Sequence, residues 1–265
     1  SLGLLIAAIV LFSIKLRYST SSSVRYPLLL PLTILVVVIF QAALGMWTVT
    51  LKLMPIVVMG HLLGGFTTLS LLFLLYLRIN TKKINTQREN VAELPLKKYS
   101  RYALLGIAIL TAQIALGGWT SSNYAAMSCV ELPICQGDWL SDLNFSQSFD
   151  LIPPNQESYE FGHLAHDERV TIHVTHRLGA MVTGVFLAWL AITLFIKAST
   201  APTKNAAIAL LSLLVIQISL GISNVWFSLP LNVAVAHNLV AAFLMLSLIT
   251  LTYQLRQNFK ESLNE

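Results

Sequence analysis

The sequence predicts an all-α fold: a polytopic transmembrane helical bundle of two pseudo-symmetric four-helix halves, the first of them incomplete. Three observations predict it: apolar runs of membrane-spanning length, basic residues confined to alternate connections, and a repeated helix ending. Of the 265 residues, 55% are hydrophobic and 11% charged, with a mean hydropathy of +0.71, whereas about a quarter of a soluble domain is charged. About 20 consecutive apolar residues, at 1.5 Å rise each, cross the hydrocarbon core. Such runs recur between short polar breaks.

Taken in order, the first apolar stretch, 2–14, is too short to span. It has no Met start, no basic segment ahead of it and no small-residue cleavage site, so it does not read as a signal peptide. It reads as the tail of a helix whose beginning is missing. Six complete spans follow, at roughly 27–50, 55–78, 101–122, 170–196, 205–228 and 232–255. A formal charge of +5 raises the question of a nucleic-acid partner, but the placement of the charge answers it. Lys15, Arg17 and Arg25, then Arg78, Lys82, Lys83, Arg88, Lys97, Lys98 and Arg101, then Lys197 and Lys204, then Arg256 and Lys260 occupy every second connection or terminus. Those segments are cytoplasmic by the positive-inside rule. The intervening connections carry only Lys52 and Arg169, and Arg177 lies just inside a helix. The partner is therefore the lipid bilayer, with no nucleic acid implied. Residues 123–169 form a large outer loop with eight of the twelve acidic residues and both cysteines.

Three helices end alike: Gln41-Ala-Ala-Leu-Gly-Met-Trp-Thr, Gln113-Ile-Ala-Leu-Gly-Gly-Trp-Thr and Gln217-Ile-Ser-Leu-Gly-Ile-Ser-Asn. His61 follows Gln41 by 20 residues and His237 follows Gln217 by the same 20. A Phe-x-x-Leu-Ser-Leu pattern then follows each histidine, at Phe66 to Leu71 and at Phe243 to Leu248. An internal repeat of this kind divides the chain. Residues 101–265 are a complete four-helix half with the outer loop 123–169, and 1–100 are the remainder of a related half. Lys197 lies 21 residues after His176, and the same spacing back from Lys15 puts the matching histidine about six residues before Ser1. A first helix, its loop and that histidine are expected to be absent from this chain.

His61, His176 and His237 each sit about one turn inside the outer end of a predicted span. Taken singly, each is as readily a histidine hydrogen-bonded to a neighbouring helix as a ligand. Three at one depth, two of them related by the repeat, point to a functional site. Imidazole is a common axial ligand of heme iron, and bundles build such sites from facing helices. His176 and His237 form one predicted pair, and His61 is a half-site paired with the absent histidine. His173 is the alternative ligand to His176, or serves a propionate. His176 is preferred because Arg177 follows it and is placed to meet a heme carboxylate. His163 and His166 read as solvated loop residues.

Cys129 and Cys135 suit a metal site, a redox pair or a structural bridge. Their loop faces an oxidising compartment and Pro133 favours a turn, which predicts a disulfide, structural or exchanging electrons. Trp47, Trp119 and Trp226 fall at outer helix ends, as an aromatic belt requires. Gly60, Gly64, Gly65, Gly179 and Gly184 allow close helix approach or room for a flat macrocycle.

Gln113-Ile-Ala-Leu-Gly-Gly-Trp-Thr-Ser-Ser-Asn-Tyr, the Cys129 to Cys135 loop with Gln136-Gly-Asp-Trp139, and Ile172-His-Val-Thr-His-Arg-Leu-Gly179 closely resemble the heme A synthase family. The resemblance implies an eight-helix membrane enzyme that oxidises the C8 methyl of heme O to the formyl group of heme A for cytochrome oxidase. It implies heme b held by His176 and His237, with Arg177 and His173 beside it. It implies heme O as substrate and heme A as product at a site containing His61, and the disulfide at Cys129 and Cys135. Implied partners are heme O synthase, cytochrome oxidase assembly factors and a second copy of the chain, in a bacterial inner membrane. The family's first outer loop, with its own cysteine pair and a catalytic glutamate, has no counterpart in this sequence. The catalytic residue is therefore unknown here, and the chain alone is expected to keep the b-heme site without turning over. A diheme electron-transfer protein of the cytochrome b561 type is the alternative, but it needs hemes on opposite membrane sides. A transporter would place its site near the midplane.

Overall fold

The computed structural model describes residues 2–18, 28–80, 97–132, 135, 140, 141 and 143–261. Arg25, Lys82, Lys83, Arg88, Pro133 and the Gln136 to Trp139 stretch lie outside the described residues. The described elements are all helical: α1 (Leu2–Tyr18), α2 (Leu29–Thr50), α3 (Pro55–Ile79), α4 (Lys97–Ser122), α5 (Phe145–Ser148), α6 (His166–Lys197), α7 (Ala201–Trp226) and α8 (Leu231–Glu261). Six of these, all but α1 and α5, are long and apolar enough to cross a membrane, matching the six predicted spans.

Their surfaces are inside-out relative to a soluble bundle. Leu29, Val36, Ile39, Val49, Val185 and Ile196 are all strongly exposed, in apolar patches that a water-soluble monomer does not carry at this density. Only a narrow stripe of each helix is enclosed by protein. Helices α4, α6, α7 and α8 close a ring in which each packs on two others, around Leu110, Leu187, Leu194, Leu210, Leu244 and Leu248. Helix α2 packs between α1 and α3, and α3 lies against α4 and α8. Ile6 of α1 is buried with Leu30, Ile34 and Leu75.

The three repeated helices also end in the same backbone geometry. Lys52, Tyr124 and Ser228 take left-handed φ values of 53°, 55° and 56°. Each donates its N–H to the carbonyl three residues back, at Val49, Ser121 and Val225. The following residues, Leu53, Ala125 and Leu229, donate to Thr48, Thr120 and Asn224 at 2.8, 2.9 and 2.7 Å. This is a Schellman termination, normally completed by glycine, built three times without one.

Helix α6 begins four residues before the predicted start at 170. Asp167 and Glu168 complement the helix dipole in its first turn, and the Glu168 carboxylate accepts the Ala165 N–H at 2.7 Å. This extension rises into the loop and supports it. Asn144 donates its N–H to Thr171 Oγ1 and its amide to Asp167, while the Ser148 hydroxyl reaches Asn144 O and Glu168 O. These bonds hold α5, a four-residue helix with no signal in the sequence. Trp119 departs from the predicted aromatic belt. It is 4% exposed, because α5 lies over it and Ser148 O accepts its indole N–H at 2.8 Å. Trp47 and Trp226 remain exposed.

Candidate functional site

Each predicted ligand lies against the repeated ending of the neighbouring helix. His61 of α3 meets Gly45 of α2, His176 of α6 meets Gly117 of α4, and His237 of α8 meets Gly221 of α7. A methyl group added to these glycines would stand 3.2, 3.1 and 3.3 Å from the Cε1 of the facing ring. Only glycine leaves the ring at this depth without displacement. Gly45, Gly117 and Gly221 each lie five residues before the last residue of their helix, at Thr50, Ser122 and Trp226. The three imidazoles therefore share one level at the loop end of the bundle, although His176 is ten residues into its extended helix.

One turn deeper, the glutamine of each repeat reaches the same histidine. Gln41 Nε2 donates to His61 O at 2.8 Å. Gln113 Nε2 lies 3.0 Å from both His176 O and His176 Nδ1. Gln217 Nε2 lies 3.1 Å from His237 Nε2. The difference among them follows from the residue three positions after the histidine. Gly64 and Gly179 leave their Cα surface bare, and the amides of Gln41 and Gln113 lie where a side chain would stand. Val240 holds that place in the third copy, and Gln217 meets only the ring. The sequence carried this arrangement as a repeat of Gln and Gly, but the contact between Gln113 and His176 spans 63 residues and was hidden by the loop.

His176 and His237 are half-buried and within electrostatic reach of one another, while His61 is exposed on α3. His173 is 4% exposed, and its Nδ1 bonds the Ala125 carbonyl at 2.9 Å, fastening the loop to α6. Arg177 is turned to the loop as well. Its guanidinium donates to Glu131 O at 2.6 Å and Cys129 O at 2.7 Å. Cys129 and Cys135 form the predicted disulfide, with Cα atoms 5.0 Å apart. The solvated-loop reading of His163 is corrected. Its ring packs edge-on against Tyr159, and partial burial lowers its pKa, with Glu168 and Asp150 opposing that shift. His166 is exposed as the first residue of α6.

The donor set constrains what binds. Among the described residues no three His, Cys, Asp or Glu side chains converge on a metal position. Two imidazoles suit an iron whose other coordination positions are already filled by a macrocycle.

Residues 1–249 match the model of the COX15-CtaA family, described as cytochrome oxidase assembly protein. The chain belongs to this family. With six helices among the described residues long and apolar enough to cross a membrane, it is a multi-pass membrane member of it. Heme A synthase of Shewanella oneidensis is 49% identical over 230 residues, covering 86% of this chain and 66% of that protein. Heme A synthase of Paracoccus denitrificans is 32% identical over 94 residues, 34% of this chain and 24% of that protein. The chain thus spans just under two thirds of the first of these relatives and about a quarter of the second.

Proposed function

We propose that this chain is the larger part of a heme A synthase, which oxidises the C8 methyl of heme O to the formyl group of heme A. The observation that carries the proposal is the threefold Gln, Gly and His arrangement at one level of the bundle. In this reading His176 and His237 hold heme b, and His61 is a ligand at the site where heme O binds and heme A leaves. The enclosed position of His173 and its bond to Ala125 favour His176 as the ligand. The residues suit the group: His237 Nδ1 and the Oε1 atoms of Gln41, Gln113 and Gln217 are buried without a hydrogen-bond partner. A ligand that reorients the rings resolves such groups.

Bound heme would supply the redox chemistry for oxidising the methyl group. The protein would hold and orient the rings. The names of the two relatives support the substrate and product. The alternation of basic residues supports a bacterial inner membrane with the disulfide loop on the outer face. Heme O synthase, oxidase assembly factors and a second copy of the chain are the partners that this role implies. Ligands at one level do not suit a diheme carrier that spans the bilayer.

The test is made in the full-length protein. His176→Ala and His237→Ala are expected to abolish a low-spin b-heme spectrum, and His61→Ala to keep it while heme O accumulates in place of heme A. A b-heme spectrum surviving both of the first two substitutions would overturn the proposal.

A further inference from the structure

The three glutamines share one unusual property beyond their contacts with the histidines. Each leaves its amide oxygen buried with no hydrogen-bond partner. An unmet buried acceptor is costly, and here it recurs at the same place in three copies. We infer that Gln113 and Gln217 are positioning residues that set the tautomer and rotation of His176 and His237 as iron ligands. The inference rests on the proposal that these histidines bind heme.

The chemistry follows from the ring. A neutral imidazole that gives its Nε2 lone pair to iron must carry its proton on Nδ1, and inside a bundle that N–H requires an acceptor. Gln113 already lies 3.0 Å from His176 Nδ1, through Nε2 of its amide. That contact makes Nδ1 an acceptor and puts the ring proton on Nε2, the tautomer that cannot ligate. A half-turn of the amide brings Oε1 to Nδ1. It gives up the bond to His176 O and meets the orphaned oxygen. At the second ligand the ring itself has to turn. Gln217 holds His237 Nε2 while His237 Nδ1 is buried without a partner. A half-turn of the imidazole frees Nε2 for iron, and a half-turn of the amide lets the unpartnered Gln217 Oε1 accept the Nδ1–H. Gly221 leaves the His237 ring room to turn without a methyl group in the way, and Gly117 keeps one off the His176 ring.

Heme b in the full-length protein is the probe, with Gln113→Leu, Gln113→Glu and the same pair at Gln217. The wild-type protein must first show a low-spin spectrum that His176→Ala removes. Its absence would sink the heme proposal rather than this inference. Given that spectrum, Gln113→Leu removes the acceptor, weakening heme retention roughly 10- to 100-fold and moving the midpoint potential positive. Gln113→Glu accepts the Nδ1 proton more strongly, keeping the heme and moving the potential negative. Opposite shifts with low-spin signals retained are the expected result. The leucine variants distinguish positioning from charge, because a charge effect alone moves only the glutamate variants. Leucine variants with wild-type potential, heme retention and low-spin resonance would overturn the inference, and Gln113→Glu keeps it testable if Gln113→Leu fails to fold.

Discussion

At the scale of single residues, the loop end of the bundle stores conformational cost at three equivalent positions. A side chain in the left-handed region costs roughly 1–2 kcal/mol relative to the right-handed one, and Lys52, Tyr124 and Ser228 all occupy it. What each gains in return differs. The Tyr124 ring packs at a tilt against Phe161, with centroids 6.0 Å apart, and its side chain lines the turn at Gly162. Ser228 is exposed. Ser228→Gly is therefore expected to stabilise the protein by about 1 kcal/mol, raising the thermal midpoint in detergent by roughly 2–4 °C. Tyr124→Gly is expected to lose at least as much in ring contact as it gains in backbone freedom. A midpoint for Ser228→Gly at or below wild type would show that the serine is held there by an interaction of its own.

At the scale of elements, glycine decides how near two helices come, and therefore where each histidine stands. A Cβ at Gly179 would overlap the Gln113 amide and approach Leu116 Cδ1 at 3.0 Å, and one at Gly117 would press on the His176 ring. A Cβ at Gly184 of the same helix meets only Ile218 Cδ1, at an ordinary 3.7 Å. Gly179→Ala and Gly117→Ala are expected to lower heme retention on the order of tenfold, as disturbance of a ligand's support does. Gly184→Ala is expected to leave it unchanged. Heme content per protein after gel filtration checks all three, and equal losses would mean that general helix spacing, rather than the ligand's support, is at stake. The spans and the repeat were legible in the sequence because each is local: hydropathy accumulates along one helix, and Gln41 and Gln217 stand 20 residues from their histidines. Gln113 and His176 were not legible as a contact, since α5 and the disulfide loop intervene. Neither were α5 or the burial of Trp119, which depend on hydrogen bonds to residues brought near only by folding. The early start of α6 had a signal, Asp167 and Glu168, that the hydropathy of the following span outweighed.

At the scale of the whole molecule, the loop after α4 is a cap fastened at separate points to separate parts of the bundle. One end is tied to α6, where Arg177 donates to Cys129 O and Glu131 O and His173 bonds Ala125 O. The other end is tied to the turn between α2 and α3, where Tyr159 N–H donates to Lys52 O at 3.0 Å and the His163 ring packs on Tyr159. These ties are expected to release independently. Hydrogen bonds from a charged donor contribute about 1.5–3 kcal/mol each, so Arg177→Leu is expected to raise amide exchange around Ser128 to Glu131 and leave Tyr159 protected. Acid acts on the opposite end. Burial lowers the His163 pKa from 6.5, so the folded cap favours the neutral ring. The stability of that end is full above the ordinary value, falls as pH drops through it, and levels off below the depressed one. Amide exchange at Tyr159 and Gly162, corrected for intrinsic rates, is expected to rise on acidification from pH 7.5 to roughly pH 5.5, while Ser128 to Glu131 stay protected. His163→Phe keeps the edge contact with Tyr159 and removes the titration, so it should flatten the pH dependence without opening the cap at neutral pH. If both ends open together in Arg177→Leu and in acid, the loop is one cooperative unit, and an event at the disulfide would be transmitted to the α2–α3 turn beside His61.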